Sequence, residues 1–204
     1  MSNSSDRTGL TSPSRGLTGS PIVFVNGPFG VGKTSVVDLL SQRLTEAIVV
    51  DPEKVGHMLW AQLPVGLRQE EFEIEPLWPS MTRLLIDLVW RTYGRTLLVP
   101  MTMVRPEVFD LIVGNLRGSG HPIQHFALLA DPPTIRARLK GRMRRRGEQP
   151  DRWGELSWEG LQIERCLESL HHPRFAHHVH TGDRSADEVA DLIISLLRQE
   201  QRPT

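Results

Sequence analysis

The residues best equipped for chemistry lie together near the start of the chain, in the run Asn26-Gly-Pro-Phe-Gly-Val-Gly-Lys-Thr-Ser35. The spacing Gly27-x-x-x-x-Gly32-Lys33-Thr34 is that of a phosphate-binding loop. Gly27, Gly30 and Gly32 let the backbone turn and aim its amides inward, those of Phe29 and Val31 among them. With the positive end of the following helix, these amides form a cradle for phosphate oxygens. Lys33 supplies a point charge for the β- and γ-phosphates, and the Thr34 hydroxyl, with Ser35 beside it, is placed to ligate Mg²⁺. The cofactors expected from this pattern are ATP and Mg²⁺.

Such a loop must be held between a strand and a helix, and its flanks comply. Ile22 to Val25 reads as a buried strand, and Val36, Val37, Leu39, Leu40 and Leu44 form an apolar helical stripe. Further strand-like runs follow: Ala47 to Val50, Thr96 to Val99, Ile123 to Leu129, and a weaker His177 to Thr181. Helical patterns cover roughly 78–92, 105–118, 132–146, 157–170 and 185–199. Strands alternating with helices predict an α/β fold with a parallel sheet.

Ligands bind such sheets beyond the carboxyl ends of the strands, which singles out the residues just after each one. Asp51 follows strand two. It is a candidate for accepting a proton from a substrate hydroxyl and for helping to hold Mg²⁺; Asp before Pro is equally a common helix cap. Pro100, Met101 and Thr102 follow strand three and are expected to meet the second substrate. Asp131 follows strand four, and Asp183, after strand five, is expected at the nucleotide. Arg138 and Arg142 lie one helical turn apart, and Arg165 comes from the next helix. Guanidinium groups closing over phosphates would neutralise charge during phosphoryl transfer, with residues 136–160 as a lid. Arg144–Arg146 read as surface. The excursion 54–92, with Trp60, Trp78 and Trp90, lies over the strand ends. Its apolar character suggests a bulky acceptor, with Trp60 as a contact, although most of these rings suit packing.

Composition sets outer limits. The 204 residues carry 24 basic and 24 acidic side chains, a balance that argues against a nucleic-acid partner. Cys166 is alone, so no intramolecular disulfide forms, as suits a cytoplasmic protein. No run approaches 18 apolar residues, so no stable membrane insertion is expected. Residues 1–20, rich in Ser, Thr, Gly, Arg and Pro, read as a disordered lead-in to one domain over 21–204.

From Val25 to about Asp183 the chain resembles the tunicamycin-resistance ATP-binding proteins. The pieces that carry the resemblance are Asn26 to Thr34, Val50-Asp-Pro-Glu-Lys54, and Leu98-Val-Pro-Met-Thr102 with Pro106-Glu107. Farther on come His125-Phe-Ala-Leu, Arg138-Leu-Lys-Gly-Arg142 and Gln162-Ile-Glu-Arg-Cys166. The wider group is the P-loop branch of nucleoside and nucleotide kinases and chloramphenicol phosphotransferase. The resemblance implies a three-layer fold: a five-stranded parallel sheet of order 2-3-1-4-5, helices on both faces, and a lid. It also implies Asp51 as catalytic base, Arg138 and Arg142 for adenine stacking and phosphate contact, and Arg165 as the arginine returning from the lid side. One departure stands out: strand three ends in Pro-Met-Thr and offers no Walker-B aspartate. The activity implied is transfer of phosphate from ATP to a hydroxyl of a nucleoside antibiotic, by a monomer or homodimer. Two alternatives stay open, a protein that sequesters the drug without transfer and a kinase of small metabolites.

Overall fold

The computed structural model describes residues 19–146 and 158–200. The five strands are β1 (Ile22–Asn26), β2 (Ile48–Val49), β3 (Leu97–Met101), β4 (Ile123–Leu129) and β5 (His178–His180). They form one parallel sheet of order β2-β3-β1-β4-β5, with helices on both faces, as the resemblance implied. Every residue of β1 is buried, which is why that strand reads as an unbroken apolar run rather than an alternating one.

Helix α1 (Lys33–Arg43) buries Val36, Val37 and Leu40 and packs against α9 (Ala186–Glu200). Helix α9 turns Val189, Ala190, Ile193 and Leu197 into the core. Arg43 crosses that interface to pair with Asp187 and, at 2.7 Å, with Asp191. Among the described residues no helix is long and apolar enough to cross a membrane.

The excursion between β2 and β3 contains α2 (Pro52–Gln62), 3₁₀ turns at Val65–Leu67 and Phe72–Ile74, and α3 (Trp78–Tyr93). Gly94, with a φ of 61°, ends α3. Trp78 is buried and its Nε1 donates to Pro52 O at 2.9 Å, tying α3 to the start of α2. After β3, α4 (Pro106–Phe109) and α5 (Asn115–Gly118) are joined by a π turn at Asp110–Gly114, so the helix expected over 105–118 carries a bulge.

Helix α6 (Pro132–Arg146) follows β4, and Asp131 caps its first turn by accepting from Thr134 N at 2.9 Å. The segment expected as one helix over 157–170 is two, α7 (Trp158–Leu161) and α8 (Ile163–Leu170), broken at Gln162. Of the lid expected over 136–160, residues 147–157 lie outside the described residues, as does most of the N-terminal lead-in.

One strand boundary differs from expectation. β3 continues through Pro100 and Met101, which pair with Val25 and Asn26. Thr96 O and Leu98 O receive hydrogen bonds from Ile48 N and Val50 N of the β2 segment. By strand alternation Pro100 faces the same side, but β2 has already ended. A residue without an N–H therefore costs the ladder nothing there.

Candidate active site

The loop between β1 and α1 turns on glycines where side chains would collide. Gly30 has a φ of 81°, and a Cβ there would lie 2.6 Å from Leu139 Cγ of α6. The absent side chain thus lets the loop lie directly on the helix that carries the arginines.

Asn26 fixes where the loop begins. Buried at the end of β1, its Oδ1 accepts from Gly27 N at 2.8 Å and from Met103 N at 2.9 Å, while its Nδ2 donates to Met103 O at 2.7 Å. Its Nδ2 also lies 3.3 Å from His125 Nε2, and His125 Nδ1 lies 3.2 Å from Ala176 O. One assignment satisfies both contacts: Nδ1 carries the proton and donates to the carbonyl, and Nε2 accepts from Asn26. Burial pushes the pKa of His125 down to about 4, so the ring is neutral.

Lys33 curls back onto the loop. Its Nζ donates to Gly27 O at 2.8 Å, Pro28 O at 3.1 Å and Thr102 Oγ1 at 2.9 Å, and lies 5.4 Å from the centre of the Phe29 ring. Thr102 in turn donates to Gly27 O at 3.0 Å. Burial lowers the Lys33 pKa to about 8, opposed by the charge of Glu53 and reinforced by Arg142.

Two cavities meet at this loop. The first, about 670 Å³, is lined by Phe29 through Val36, by Arg138, Arg142 and Arg145 of α6, and by Thr181, Arg184 and Ser185 beyond β5. Arg138 is anchored there: Nη1 donates to Val31 O at 3.0 Å and to Thr181 Oγ1 at 2.9 Å, and Nη2 to Thr181 O. The second, about 610 Å³, is walled by His57, Trp60, Phe72 and Trp78 and includes Met101, Thr102, Arg165 and Cys166. Phe29, Glu53 and Glu159 line both cavities.

The aromatic wall depends on a close approach. A Cβ on Gly56 of α2 would lie 2.3 Å from Phe72 Cδ1, so only glycine admits that ring. Phe72 then packs 4.3 Å from Trp60 and 5.1 Å from His57, between ring centres. Burial raises the Cys166 thiol to about 11, which keeps it protonated.

The structure thus brings Phe29, Gly30, Val31, Gly32, Lys33, Thr34, Ser35, Arg138 and Arg142 to one cavity, and Trp60, Met101 and Thr102 to the other. Gly27 shapes the loop from behind. Four expected residues stand elsewhere. Asp51 Oδ1 accepts from Glu53 N at 3.0 Å, capping α2, and is not among the residues lining either cavity. Arg165 faces the aromatic cavity rather than the loop, because Glu71 holds its Nη2 at 3.0 and 3.1 Å. Asp183 is exposed beyond β5 and Pro100 is half-buried in β3; neither lines either of these two cavities. Glu53, Glu159 and Arg184 were not singled out from sequence, and Arg145, read as surface, is exposed and also lines the loop cavity. Arg145 continues the face of Arg138 and Arg142 at helical spacing, and that repeat was legible.

Sheet order, loop and paired cavities define a P-loop nucleotide-binding fold of the kinase type. Residues 22–159 match the model of the family described as AAA domain, and the chain belongs to that family. Its structure is similar to that of the tunicamycin resistance protein of Deinococcus radiodurans, at 26% identity and a TM-score of 0.70, over 87% of this chain and 95% of that one. The resemblance read from the motifs is borne out by this likeness. A gluconokinase from Sinorhizobium meliloti 1021 shares the fold at 13% identity and a TM-score of 0.60, over 91% and 95% of the two chains. The Mycobacterium tuberculosis APS kinase CysC, solved in complex with AMPPNP and APS, shares it at 19% identity and a TM-score of 0.58, over 88% and 98%. No curated protein matches the chain.

Proposed function

We propose that the protein is an ATP-dependent phosphotransferase that moves the γ-phosphoryl group onto a hydroxyl of a nucleoside antibiotic and so confers resistance. The observation that carries the reading is the shared boundary of the two cavities: a cationic one built on the phosphate loop opens beside an aromatic one, and Phe29, Glu53 and Glu159 belong to both. A donor in the first would present its terminal phosphate toward an acceptor in the second. Likeness to the Deinococcus radiodurans tunicamycin resistance protein supports the choice of acceptor class.

Glu53 is the proposed base. It stands at the junction, whereas the Asp51 carboxylate is turned back onto the backbone of α2. As cap, Asp51 positions the first turn of α2 and with it Glu53. Lys33 would leave the carbonyls of Gly27 and Pro28 for the phosphates, and Arg138, Arg142 and Arg145 would neutralise the charge of the triphosphate. Thr34 lines the loop cavity, so its hydroxyl fits a Mg²⁺ ion arriving with ATP. When bound, that ion would neutralise charge on the phosphates.

Mass spectrometry of nucleoside antibiotics incubated with protein and ATP tests the reading. A mass gain of one phosphate is expected; a bound but unaltered drug would favour sequestration. Glu53→Gln should abolish the gain with nucleotide affinity retained, while Asp51→Asn, which keeps a capping oxygen, should keep both transfer and stability. The opposite pattern returns the base to Asp51.

A further inference from the structure

The two cavities carry opposite charge. The loop cavity gathers Lys33, Arg138, Arg142, Arg145 and Arg184 against Glu53 and Glu159. The aromatic cavity is lined by Glu53, Glu70, Glu71, Glu73 and Glu159, and among the described residues Arg165 is its only lysine or arginine. That arginine is paired with Glu71, its Nη2 shared between both carboxylate oxygens. Glu73 is also occupied. Its Oε1 accepts from Val104 N at 2.9 Å and Arg105 N at 3.1 Å, and burial raises its pKa above the usual carboxylate value. Glu53, Glu70 and Glu159 remain, and among the described residues no side-chain hydrogen bond or ion pair engages them.

Resting on the kinase reading above, we propose that the acceptor is a cation: a nucleoside-like alcohol bearing a protonated amine, held among the rings of Phe29, Trp60, Phe72 and Trp158 with Glu70 and Glu159 as counter-charges. An ammonium is the group that both kinds of wall attract, the carboxylates by charge and the ring faces by their quadrupoles. Among the described lining residues, an anionic acceptor would meet five carboxylates and one arginine that is paired to Glu71. A metal ion is the other cation that carboxylates collect. Among the described residues, however, no three His, Cys, Asp or Glu side chains converge as a metal site. The carboxylates are spread along a wall, as suits an extended organic ligand.

The test uses the full chain with ATP and Mg²⁺. Hydroxyl-bearing nucleoside antibiotics with a free primary amine, puromycin among them, are each paired with their N-acetyl derivative. Affinity is read by calorimetry and phosphate incorporation by mass spectrometry, with gluconate and shikimate as anionic comparisons. The amine form is expected to bind at least about tenfold more tightly, a margin that shrinks as salt rises. Glu70→Gln should shrink it at low salt, with nucleotide affinity checking that the variant folds. Acetyl forms that bind as well as their amines, binding of the anions, or no binding by any amine-bearing member would overturn the proposal. The kinase reading fails separately, on an absence of nucleotide binding or of any transferred phosphate.

Discussion

Lys33 offers the most direct test of the nucleotide site, because its environment makes the charge labile. Burial among Gly27, Pro28 and Thr102 brings its pKa down to about 8, from an ordinary 10.5. The triphosphate needs the ammonium, and its negative charge raises the pKa again in the complex. ATP affinity should therefore be flat below pH 7 and fall as pH rises through 8. With a free-state pKa near 8, the protonated fraction drops from about nine-tenths at pH 7 to about one-tenth at pH 9. That is roughly a tenfold loss of affinity, about 1.4 kcal/mol. Neither the γ-phosphate, which is already ionised, nor Cys166, whose pKa is about 11, titrates in this window. Fluorescence titration with a labelled ATP analogue between pH 7 and 9.5 measures the effect. Lys33→Arg, whose charge does not titrate there, should give a flat profile. A flat profile in the wild type, or an unchanged fall in Lys33→Arg, would refute the account.

Two further outcomes follow from packing and burial. His125 has a pKa pulled down from 6.5 to about 4, so it contributes its full stability above pH 6.5 and loses it progressively as pH falls toward 4. Between pH 7 and 4.5 the loss is about 2 kcal/mol, and urea unfolding at those two pH values should show that part disappearing in His125→Gln. Gly56→Ala should displace Phe72, cost about 1–3 kcal/mol and raise the acceptor KM while leaving nucleotide affinity unchanged, because the atoms nearest the added methyl all belong to Phe72 of the aromatic wall. Steady-state kinetics with each substrate varied in turn would reveal any effect on the nucleotide side.

Much of this was legible from residue order. The loop announces itself because its glycines, lysine and threonine are contiguous, and the flanking strand and helix have clean periods. Asp51 illustrates a finer limit. The sequence offers two carboxylates in Asp51-Pro-Glu53, and the proline sets a helix start in which the first carboxylate folds back as a cap and the second projects. The cap was readable; which cavity the other carboxylate would line was not. Arg165 was grouped with the phosphate-facing arginines because its partner, Glu71, is 94 positions away and no period links them. The clamp of Asn26, Met103 and His125 is hidden for the same reason, with separations of 77 and 99. The acidic lining did leave a trace in the run Glu70-Glu-Phe-Glu-Ile-Glu75, where a strand-like alternation is broken into a 3₁₀ turn.

Phe29 is the one loop side chain that stands in both chambers, edge-on to Trp158 at 5.3 Å and beneath the Lys33 ammonium. Recruitment of that ammonium by a phosphate would remove the ring's cation and alter the surface offered to the other ligand. By thermodynamic reciprocity, whatever factor the donor then imposes on acceptor affinity the acceptor must impose on donor affinity. A single aromatic ring would make the order in which the two substrates arrive a property of the loop itself.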